Sequence, residues 1–282
     1  MTPAARAYVV EALKELDRRR FLATLPTREP DRGALQSLWA FGADVAAVPA
    51  RVNEPAAGEI RLQWWVDALS GAGHGDVRHN PIADALLETL GNYHLPVDPL
   101  VALIEARRFD LYHDPMPDLP SLEGYAGATV SVLFQLGAMV LARGPAPDVS
   151  DAAGHLGVAE FCYGHVAAFG HNASRGKLFL PKTLFEARGA SEAAIFSGQD
   201  GDEIRAALRD AVDLATDHEK TAVSALGNLD KKLRPAFAQA AFMPAMRAEA
   251  RRAAAAPFER RKPTGGPADL LRLAAWAFRY AF

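Results

Sequence analysis

Apolar residues recur along this chain at intervals of three and four, which is the spacing of one face of an α-helix. Val9, Leu13 and Leu16 form such a stripe near the start, and Ile60 and Trp64 begin another within "GEIRLQWWVDALSG". Residues with this spacing lie on one side of a helix, so both segments are predicted to be amphipathic helices. Alternating polar and apolar residues, the pattern of half-buried strands, are not evident. The sequence therefore predicts an all-α protein.

Clusters of proline and glycine interrupt the helical pattern at intervals, as in "LPTREPDRG", "GAGHGD", "HDPMPDLP" and "RGPAPD". Such clusters end helices and form turns. Their lengths are those of ordinary connections between packed helices, and none has the composition of a flexible interdomain linker. We therefore expect one all-α domain over residues 1–282, with its helices around a central cavity or core.

One apolar run, Ala126 to Ala142, approaches the thickness of a bilayer. It is shorter than the roughly 20 residues that a spanning helix needs, and it contains Gln135. A helix that is apolar on all sides is typical of the centre of a helical domain. This run is predicted to be a buried central helix and not a membrane span.

The charge of the chain argues against nucleic acid as a partner. Its 282 residues carry a formal net charge of -3, and binding to phosphates requires a basic face. The short runs "DRRRF" and "RAEARRAAAAPFERRK" mix basic residues with acids or apolar residues, so they are predicted to be solvated helix faces, with contact to an anionic membrane surface as the alternative.

The location of the protein is inferred from its cysteine content and its first helix. Cys162 is the single cysteine, so the chain cannot form an internal disulfide, which suits a reducing compartment. We expect Cys162 to be a small buried residue. Glu11, Glu15 and Asp17 in the first helix argue against a targeting segment. A cytoplasmic protein is expected, with peripheral contact to the inner membrane as a further expectation.

Two pairs of aspartates have the i, i+4 spacing that places carboxylates on one helix face. Asp213 and Asp217 form the first pair, which predicts either a Mg²⁺ site or a solvated face. Asp110 and Asp114 form the second pair, but Pro115 follows directly and ends the helix. A structural role is favoured over a metal site for the second pair.

The order of several longer segments resembles the squalene/phytoene synthase family. These segments are "LQSLWAFGADVAAVPARVNEP", "IRLQWWVDALSG", "ARRFDL", "LEGYAGATVSVL" and "LGVAEFCYGHVAAFGHNASRGKLFLP", and they span about residues 20 to 181. The resemblance implies an all-α isoprenoid-synthase fold. It also implies head-to-head joining of two prenyl diphosphates, with aspartates of two facing helices holding Mg²⁺ on the diphosphates.

The sequence departs from this pattern throughout the two motifs in which the family carries its metal-binding acids. The first aspartate-rich motif falls on Ala43, Ala46, Ala47 and Ala50. The second, counted back from the final "LP" of the last segment, falls on Gly164, Ala167, Ala168, His171 and Asn172. Mg²⁺ would therefore have no carboxylate ligand at these positions, and the resemblance predicts a protein with no catalytic residues, no bound metal and no cofactor.

A non-catalytic branch of the family assists the assembly of respiratory complex I, and "IRLQWWVDAL", "LEGYA" and "SRGKLFLP" resemble that branch. Two hypotheses follow. In the first, the chain binds a lipid or isoprenoid-like ligand, or a respiratory-complex subunit, and aids assembly. In the second, it is a prenyl transferase that binds Mg²⁺ through atypical acids, namely Asp44, Asp110, Asp213 and Asp217.

The ligand-binding residues predicted under the first hypothesis are Arg61, Asp110, Tyr125, His171 and Arg175. Arg61 and Arg175 are expected to reach the mouth of the cavity and to bind an anionic group of a lipid or partner, because guanidinium groups bind such groups bidentately. His171 lies close to Arg175 in the sequence, at a position where the family carries a metal ligand. These assignments depend on the resemblance and not on spacing alone.

Overall fold

The computed structural model describes residues 3–73, 75–260 and 266–280, and every regular element in these ranges is a helix. The all-α prediction is confirmed. The α-helices are α1 (Pro3–Leu16), α2 (Arg18–Ala23), α3 (Asp31–Ala46), α4 (Pro55–Ser70), α5 (Pro81–Tyr93), α6 (Asp98–Arg107), α7 (Leu119–Ala126), α8 (Val132–Ala142), α9 (Ser150–Ala167), α10 (Phe169–Ala173), α11 (Lys182–Glu186), α12 (Glu192–Phe196), α13 (Asp202–Asn228), α14 (Met243–Ala255) and α15 (Pro267–Tyr280).

The helices begin and end where the local sequence requires it. Asn80 caps α5 by accepting hydrogen bonds from the backbone N–H groups of Ile82 and Ala83, and Asp118 caps α7 in the same way from Ser121. Proline occupies the first turn of both helices, where its missing N–H has no helical partner to lose. The predicted connections therefore end at prolines that begin the next helix, as at α5 and α7.

The centre of the fold is α9, which packs against α13, α14 and α8. Its sequence is apolar or small at most positions, so it can be surrounded by other helices. Cys162 is fully buried there, as predicted, and burial raises the pKa of its thiol to about 12. Nearly all buried apolar residues of the described chain form one continuous cluster that begins at Val9 and ends at Ala277. The single-domain arrangement of residues 1–282 stays a prediction.

The apolar run from Ala126 to Ala142 belongs to a longer helical segment. It consists of α7, a π-helical turn at Gly127–Ser131, and α8. Among the described residues, Leu119–Ala142 is the one helical segment long and apolar enough to cross a membrane, and 67% of its apolar window is buried inside the protein. The segment packs against α3, α6 and α9. The helix is confirmed, and its position outside a membrane stays a prediction.

A close approach fixes α9 against the π-helical turn. Gly157 lies so near Ser131 that a Cβ atom at this position would meet the Ser131 backbone nitrogen at 2.9 Å. The neighbouring Gly154 on the same helix has no atom within 4 Å of such a Cβ. Gly157 therefore lets the backbones of the two elements approach, which a larger residue would prevent.

The structure corrects the predicted buried face of α4. Ile60 is 72% exposed, whereas Leu62 and Trp65 are almost completely buried. The Trp65 ring packs edge-on against Phe41 of α3, with ring centroids 5.0 Å apart. The apolar face is thus displaced from the predicted one, because α4 has apolar residues on more than one side and its packing against α6, together with the contact of Trp65 with Phe41, selects among them.

The "DRRRF" run is also not the solvated face that its charge predicted. Arg20 is only 8% exposed. Arg19 pairs with Glu249 at 2.6 Å and with the buried Asp269 at 3.2 Å, and its hydrogen bond to Glu249 contributes most to raising its pKa. The run connects α2 to α14 and α15 through buried or partly buried ion pairs, which the sequence around residue 20 does not reveal.

Candidate functional site

Helices α3 and α9 lie on opposite sides of a cavity of about 220 Å³. Ala43 and Ala46, in the last turns of α3, and Gly164 of α9 line this cavity, which is called the central cavity below. The π-helical turn contributes Thr129 and Val130 to the wall. Three positions of the two motifs that the resemblance implies therefore converge on one cavity, Ala46 at the place of an acid, and none of the three carries a polar side chain here.

The central cavity has an open mouth and an apolar side. Ala46 and Gly164 are exposed and lie where the cavity meets solvent. Leu133, Phe161 and Met246 form apolar parts of its wall. An apolar cavity of roughly 150 Å³ is sufficient to bind benzene, so the central cavity has room for a larger apolar group.

The polar side of the cavity is built around a buried ion pair between α2 and α9. Nη2 of Arg20 donates to Oε1 of Glu160 at 2.7 Å, and both side chains are about one-tenth exposed. Nε of Arg20 lies 3.2 Å from a carboxylate oxygen of Asp17. The guanidinium group also lies over the rings of Trp39 and Phe134. The aromatic contacts and the ion pairs together fix Arg20 in the cavity wall.

Glu160 has a second buried partner and an unusual electrostatic environment. Gln239 contacts the same oxygen, Oε1, from a 3₁₀-helical segment at Arg234–Phe242. Burial raises the pKa of the Glu160 carboxyl, while the charge of Arg20 opposes that effect. The carboxylate of Glu160 therefore forms part of the cavity wall, where it is paired with Arg20. Glu160 lies one helical turn before Gly164.

Asp110 and Tyr125, two of the predicted ligand-binding residues, lie behind the cavity wall and position Arg107. Tyr125 donates a short hydrogen bond to Oδ1 of Asp110. Nη1 of Arg107 donates to Oδ2 of Asp110 at 3.0 Å and to the Tyr125 oxygen at 3.1 Å. Arg107 itself lines the central cavity. Asp110 and Tyr125 are each less than one-tenth exposed, so their polar groups serve this cluster.

The electrostatics of this cluster keep Arg107 charged and Tyr125 protonated. Burial alone would lower the pKa of Arg107, but Tyr125 and Asp110 outweigh burial and raise it. Burial raises the pKa of Tyr125 well above its usual value, with Arg107 opposing and Asp110 adding to the shift. At neutral pH the phenol is therefore a hydrogen-bond donor and Arg107 is a fixed cation at the cavity.

Asp110 and Asp114 do not share a helix face, although their spacing in the sequence allows it. Helix α6 ends at Arg107, a 3₁₀ turn covers Arg108–Leu111, and the backbone is extended at Tyr112. Asp110 is consequently buried while Asp114 is exposed. The structural role that the sequence favoured for Asp110 is the role that its contacts support.

His165 lines the central cavity between two aromatic rings. Its ring centroid lies 4.2 Å from that of Phe161 and 4.5 Å from that of Phe179, and Nδ1 lies 3.2 Å from the amide nitrogen of Asn172. Burial lowers the pKa of His165 to about 3, and the charge of Arg107 adds to that effect. His165 is therefore neutral at physiological pH and does not supply a cation to the cavity.

The "SRGKLFLP" segment forms a turn that returns the chain from α10 toward the residues before α7. Gly176 adopts a φ of 67°, which favours glycine. Nζ of Lys177 donates to the backbone oxygen of Asp110, and the Leu178 oxygen accepts from the Met116 N–H at 2.8 Å. The segment thus fixes the Arg107 cluster from outside, and its lysine is used in that contact.

Arg61 and Arg175 do not meet at one site. Arg175 lines a pocket of about 340 Å³ with His113 and Lys177, whereas Arg61 lines a different pocket of about 330 Å³ with Arg51 and other residues. Neither side chain is among those that line the central cavity. The expectation that both reach the mouth of one cavity is corrected, because Leu62 and Trp65 take the buried face of α4 and turn Arg61 to solvent.

His171, the remaining predicted ligand-binding residue, lies on the short helix α10 and is exposed. It is not among the residues that line the central cavity. Its backbone oxygen accepts a hydrogen bond from Ser174 at 2.8 Å. A ligand-binding role for His171 stays a prediction that depends on the resemblance.

The acids required by the prenyl transferase hypothesis lie far from a common site. Asp44 accepts hydrogen bonds from Arg51 at 2.6 Å and from the Trp65 indole at 3.2 Å, on the α4 side of α3. Asp213 and Asp217 are exposed on α13. Within the ranges that the structure describes, no group of three or more His, Cys, Asp or Glu residues is arranged to hold a metal ion.

The buried ion pair of the cavity, Arg20 and Glu160, was missed by reasoning from the sequence. Glu160 did leave a signal, because it is a single acid inside the apolar stretch "LGVAEFCYGHVA". Charged residues are almost never fully buried unless they are paired, so an acid in such a stretch indicates a buried partner. The sequence did not show that the partner is an arginine 140 residues earlier.

Taken together, the helical fold and the cavity between two facing helices define a protein built like the isoprenoid synthases. A crystal structure of a dehydrosqualene synthase in complex with ligand has the same fold, with a TM-score of 0.81 and 16% sequence identity over 98% of this chain and 96% of that chain. A family model for squalene/phytoene synthase matches residues 13–266. The chain belongs to the squalene/phytoene synthase family.

Two relatives show the range of functions in that family. The human protein "NADH dehydrogenase (ubiquinone) complex I, assembly factor 6" is 26% identical over 232 residues, which is 82% of this chain and 69% of the human protein. A 15-cis-phytoene synthase from Synechococcus elongatus is 25% identical over 228 residues, which is 76% of this chain and 73% of the synthase. The chain is thus similar both to assembly factors and to an enzyme.

Proposed function

We propose that this protein is a non-catalytic member of the squalene/phytoene synthase family that aids the assembly of respiratory complex I. The observation that carries the proposal is the central cavity. Alanine and glycine occupy its helices at Ala43, Ala46 and Gly164, and its two carboxylates, those of Asp17 and the buried Glu160, are both paired with Arg20. A diphosphate leaves readily only when its developing charge is stabilised, and these residues offer no ligand for Mg²⁺.

The similarity to complex I assembly factor 6 proteins supports the assembly role. Under this proposal the protein needs no cofactor. It binds a lipid or a complex I subunit, acts in the cytoplasm and contacts the inner membrane from that side. A cavity that has kept its shape while offering no metal ligands is suited to holding a molecule without converting it, since tight binding of a ground state gives no catalysis.

Deletion of the gene in the source organism tests the assembly role. We expect assembled complex I on native gels, and NADH oxidation by isolated membranes, to fall several-fold and to return when the wild-type gene is restored. Succinate oxidation by the same membranes is the internal control and should be unchanged. Normal complex I content in the deletion strain would show that the proposal is wrong.

A second candidate function is prenyl transfer with atypical metal ligands, which the similarity to a phytoene synthase favours. Mg²⁺ would be required only in this case. Incubation of the purified protein with prenyl diphosphates and Mg²⁺ distinguishes the two candidates. Formation of a head-to-head product would support the transferase, and we expect none.

A further inference from the structure

The polar groups around the central cavity are incompletely hydrogen-bonded. Five buried side-chain polar atoms in the described residues lack a hydrogen-bond partner, and four of them belong to Arg20, Arg107, Glu160 and Gln239. The first three of these residues line the cavity, and Gln239 contacts Glu160. Buried polar groups in native proteins are nearly always paired, so this concentration beside one cavity indicates a binding site.

The four atoms comprise two donors and two acceptors. Nη1 of Arg20 and Nε of Arg107 carry hydrogens to donate, whereas Oε2 of Glu160 and Oε1 of Gln239 accept. A ligand group that completes this set must itself donate and accept. A hydroxyl group does both, while a phosphate at neutral pH mainly accepts.

The charges of the cavity wall also favour an uncharged ligand. Arg20 and Arg107 are balanced by Asp17 and Glu160, which line the same cavity, and Asp110 adds a further negative charge behind Arg107. A phosphate entering the cavity would meet the Glu160 carboxylate, and like charges repel strongly where little water screens them. All four atoms are shielded from solvent, so a ligand reaches them only after a side chain turns. The terminal torsion of a glutamate is soft, so the Glu160 carboxylate can rotate toward a ligand.

We propose that the central cavity binds an uncharged lipid that carries a hydroxyl group, with the hydroxyl bound beside the Arg20–Glu160 pair and the chain along the apolar wall. Leu133, Phe161 and Met246 contact the chain, which leaves the cavity past Ala46. This inference deepens the proposed function and rests on it, because a molecule bound here without metal is held and not converted.

Calorimetric titration of the purified full chain with matched ten-carbon probes tests this inference. We expect saturable binding of 1-decanol and binding of decyl phosphate that is at least tenfold weaker. Ala46→Phe narrows the exposed mouth and should weaken 1-decanol binding at least tenfold. Ala50→Phe is the matched control, since Ala50 is exposed four residues later and does not line the cavity, and it should change binding less than twofold.

A charge variant tests the role of Glu160. Glu160→Gln keeps the size of the side chain and removes its negative charge, so decyl phosphate should bind at least tenfold more tightly than to the wild type. If this variant does not fold, the Ala46→Phe and Ala50→Phe pair decides the matter. Absence of saturable 1-decanol binding, tighter binding of decyl phosphate than of 1-decanol to the wild type, or unchanged 1-decanol binding in Ala46→Phe would overturn the inference.

The same titrations separate this inference from the proposed function. If decyl phosphate binds only with Mg²⁺ and prenyl diphosphates yield a product, the non-catalytic function fails and the inference fails with it. If there is no Mg²⁺-dependent binding, no product and no binding of 1-decanol, water hydrogen-bonds to the polar groups of the wall. In that case the inference about the ligand is wrong and the proposed non-catalytic function is unaffected.

Discussion

The buried pair of Arg20 and Glu160 gives the sharpest test of how this cavity is built. Arg20→Met keeps an unbranched apolar side chain against Trp39 and Phe134 but removes the charge that pairs with Glu160. Both partners have side chains about one-tenth exposed, so water screens them little. Removal of one partner from such a pair costs about 3–5 kcal/mol, because the other charge is left buried without compensation.

A second variant separates the pair from simple loss of packing. In the double variant, Arg20→Met with Glu160→Gln, both charges are gone. The side-chain amide of Gln239 can still donate a hydrogen bond to the oxygen of the new glutamine. Replacement of a whole buried pair is often nearly neutral, so the double variant should recover about 2 kcal/mol or more relative to Arg20→Met. Arg18→Met is the control, since Arg18 is exposed on the same helix and should change stability by no more than about 0.5 kcal/mol.

The pH dependence of Arg20→Met has a defined sign. Burial already raises the pKa of Glu160, and loss of Arg20 removes the opposing effect, so the native variant holds a proton at pH values where the unfolded chain has released it. Stability then falls as the pH rises above the usual glutamate pKa of about 4.3. Urea denaturation at pH 5 and pH 8 measures this. The reasoning is refuted if Arg20→Met lowers the free energy of unfolding by less than about 1 kcal/mol at pH 8. It is also refuted if the double variant loses as much stability as Arg20→Met and Glu160→Gln lose separately when added together.

Three further predictions concern the surroundings of the cavity. Because burial lowers the pKa of His165 to about 3, the unfolded chain binds a proton that the native protein excludes, so acidification from pH 7 to pH 4 should destabilise the wild type about 2–3 kcal/mol more than His165→Gln in urea titrations. Tyr125→Phe should lower the free energy of unfolding by about 1.5–3 kcal/mol through loss of its bond to a buried carboxylate, and the exposed Tyr112→Phe by no more than about 0.5 kcal/mol. Gly157→Ala should lower the melting temperature, because overpacking against the π-helical turn costs about 1–3 kcal/mol of stability. Gly154→Ala on the same helix should stabilise the protein by about 0.5–1 kcal/mol. Equal effects of the two substitutions would contradict the close approach of Gly157 to Ser131.

The sequence by itself determined the class of fold and much of its local structure. Helical periodicity, the turns at the proline and glycine clusters and the apolar helix that contains α8 depend on residues close together in the chain, so local sequence was sufficient to predict them. The buried state of Cys162 was also predictable from its chemistry. The order of the longer segments identified the family, and the absence of carboxylates from its two motifs indicated the character of the cavity.

Tertiary structure alone decided which polar residues reach the cavity. Asp110 and Tyr125 were singled out from the sequence, but the fold uses them to position Arg107, and it places Arg61 and Arg175 in separate pockets. The orientation of a side chain on a helix depends on which face the neighbouring helices bury, and several faces of α4 are apolar enough to qualify.

The pair of Arg20 and Glu160 shows most clearly that the sequence alone does not predict which polar residues reach the cavity. A basic residue in a charged run is ordinarily solvated, and only the packing of α2 against the rest of the bundle removes Arg20 from water and brings it to a carboxylate 140 residues away. The free energy of a charge depends on its surroundings, and those surroundings consist of residues that are distant in the sequence. The helices were therefore determined locally, while the chemistry of the cavity was decided by how they pack.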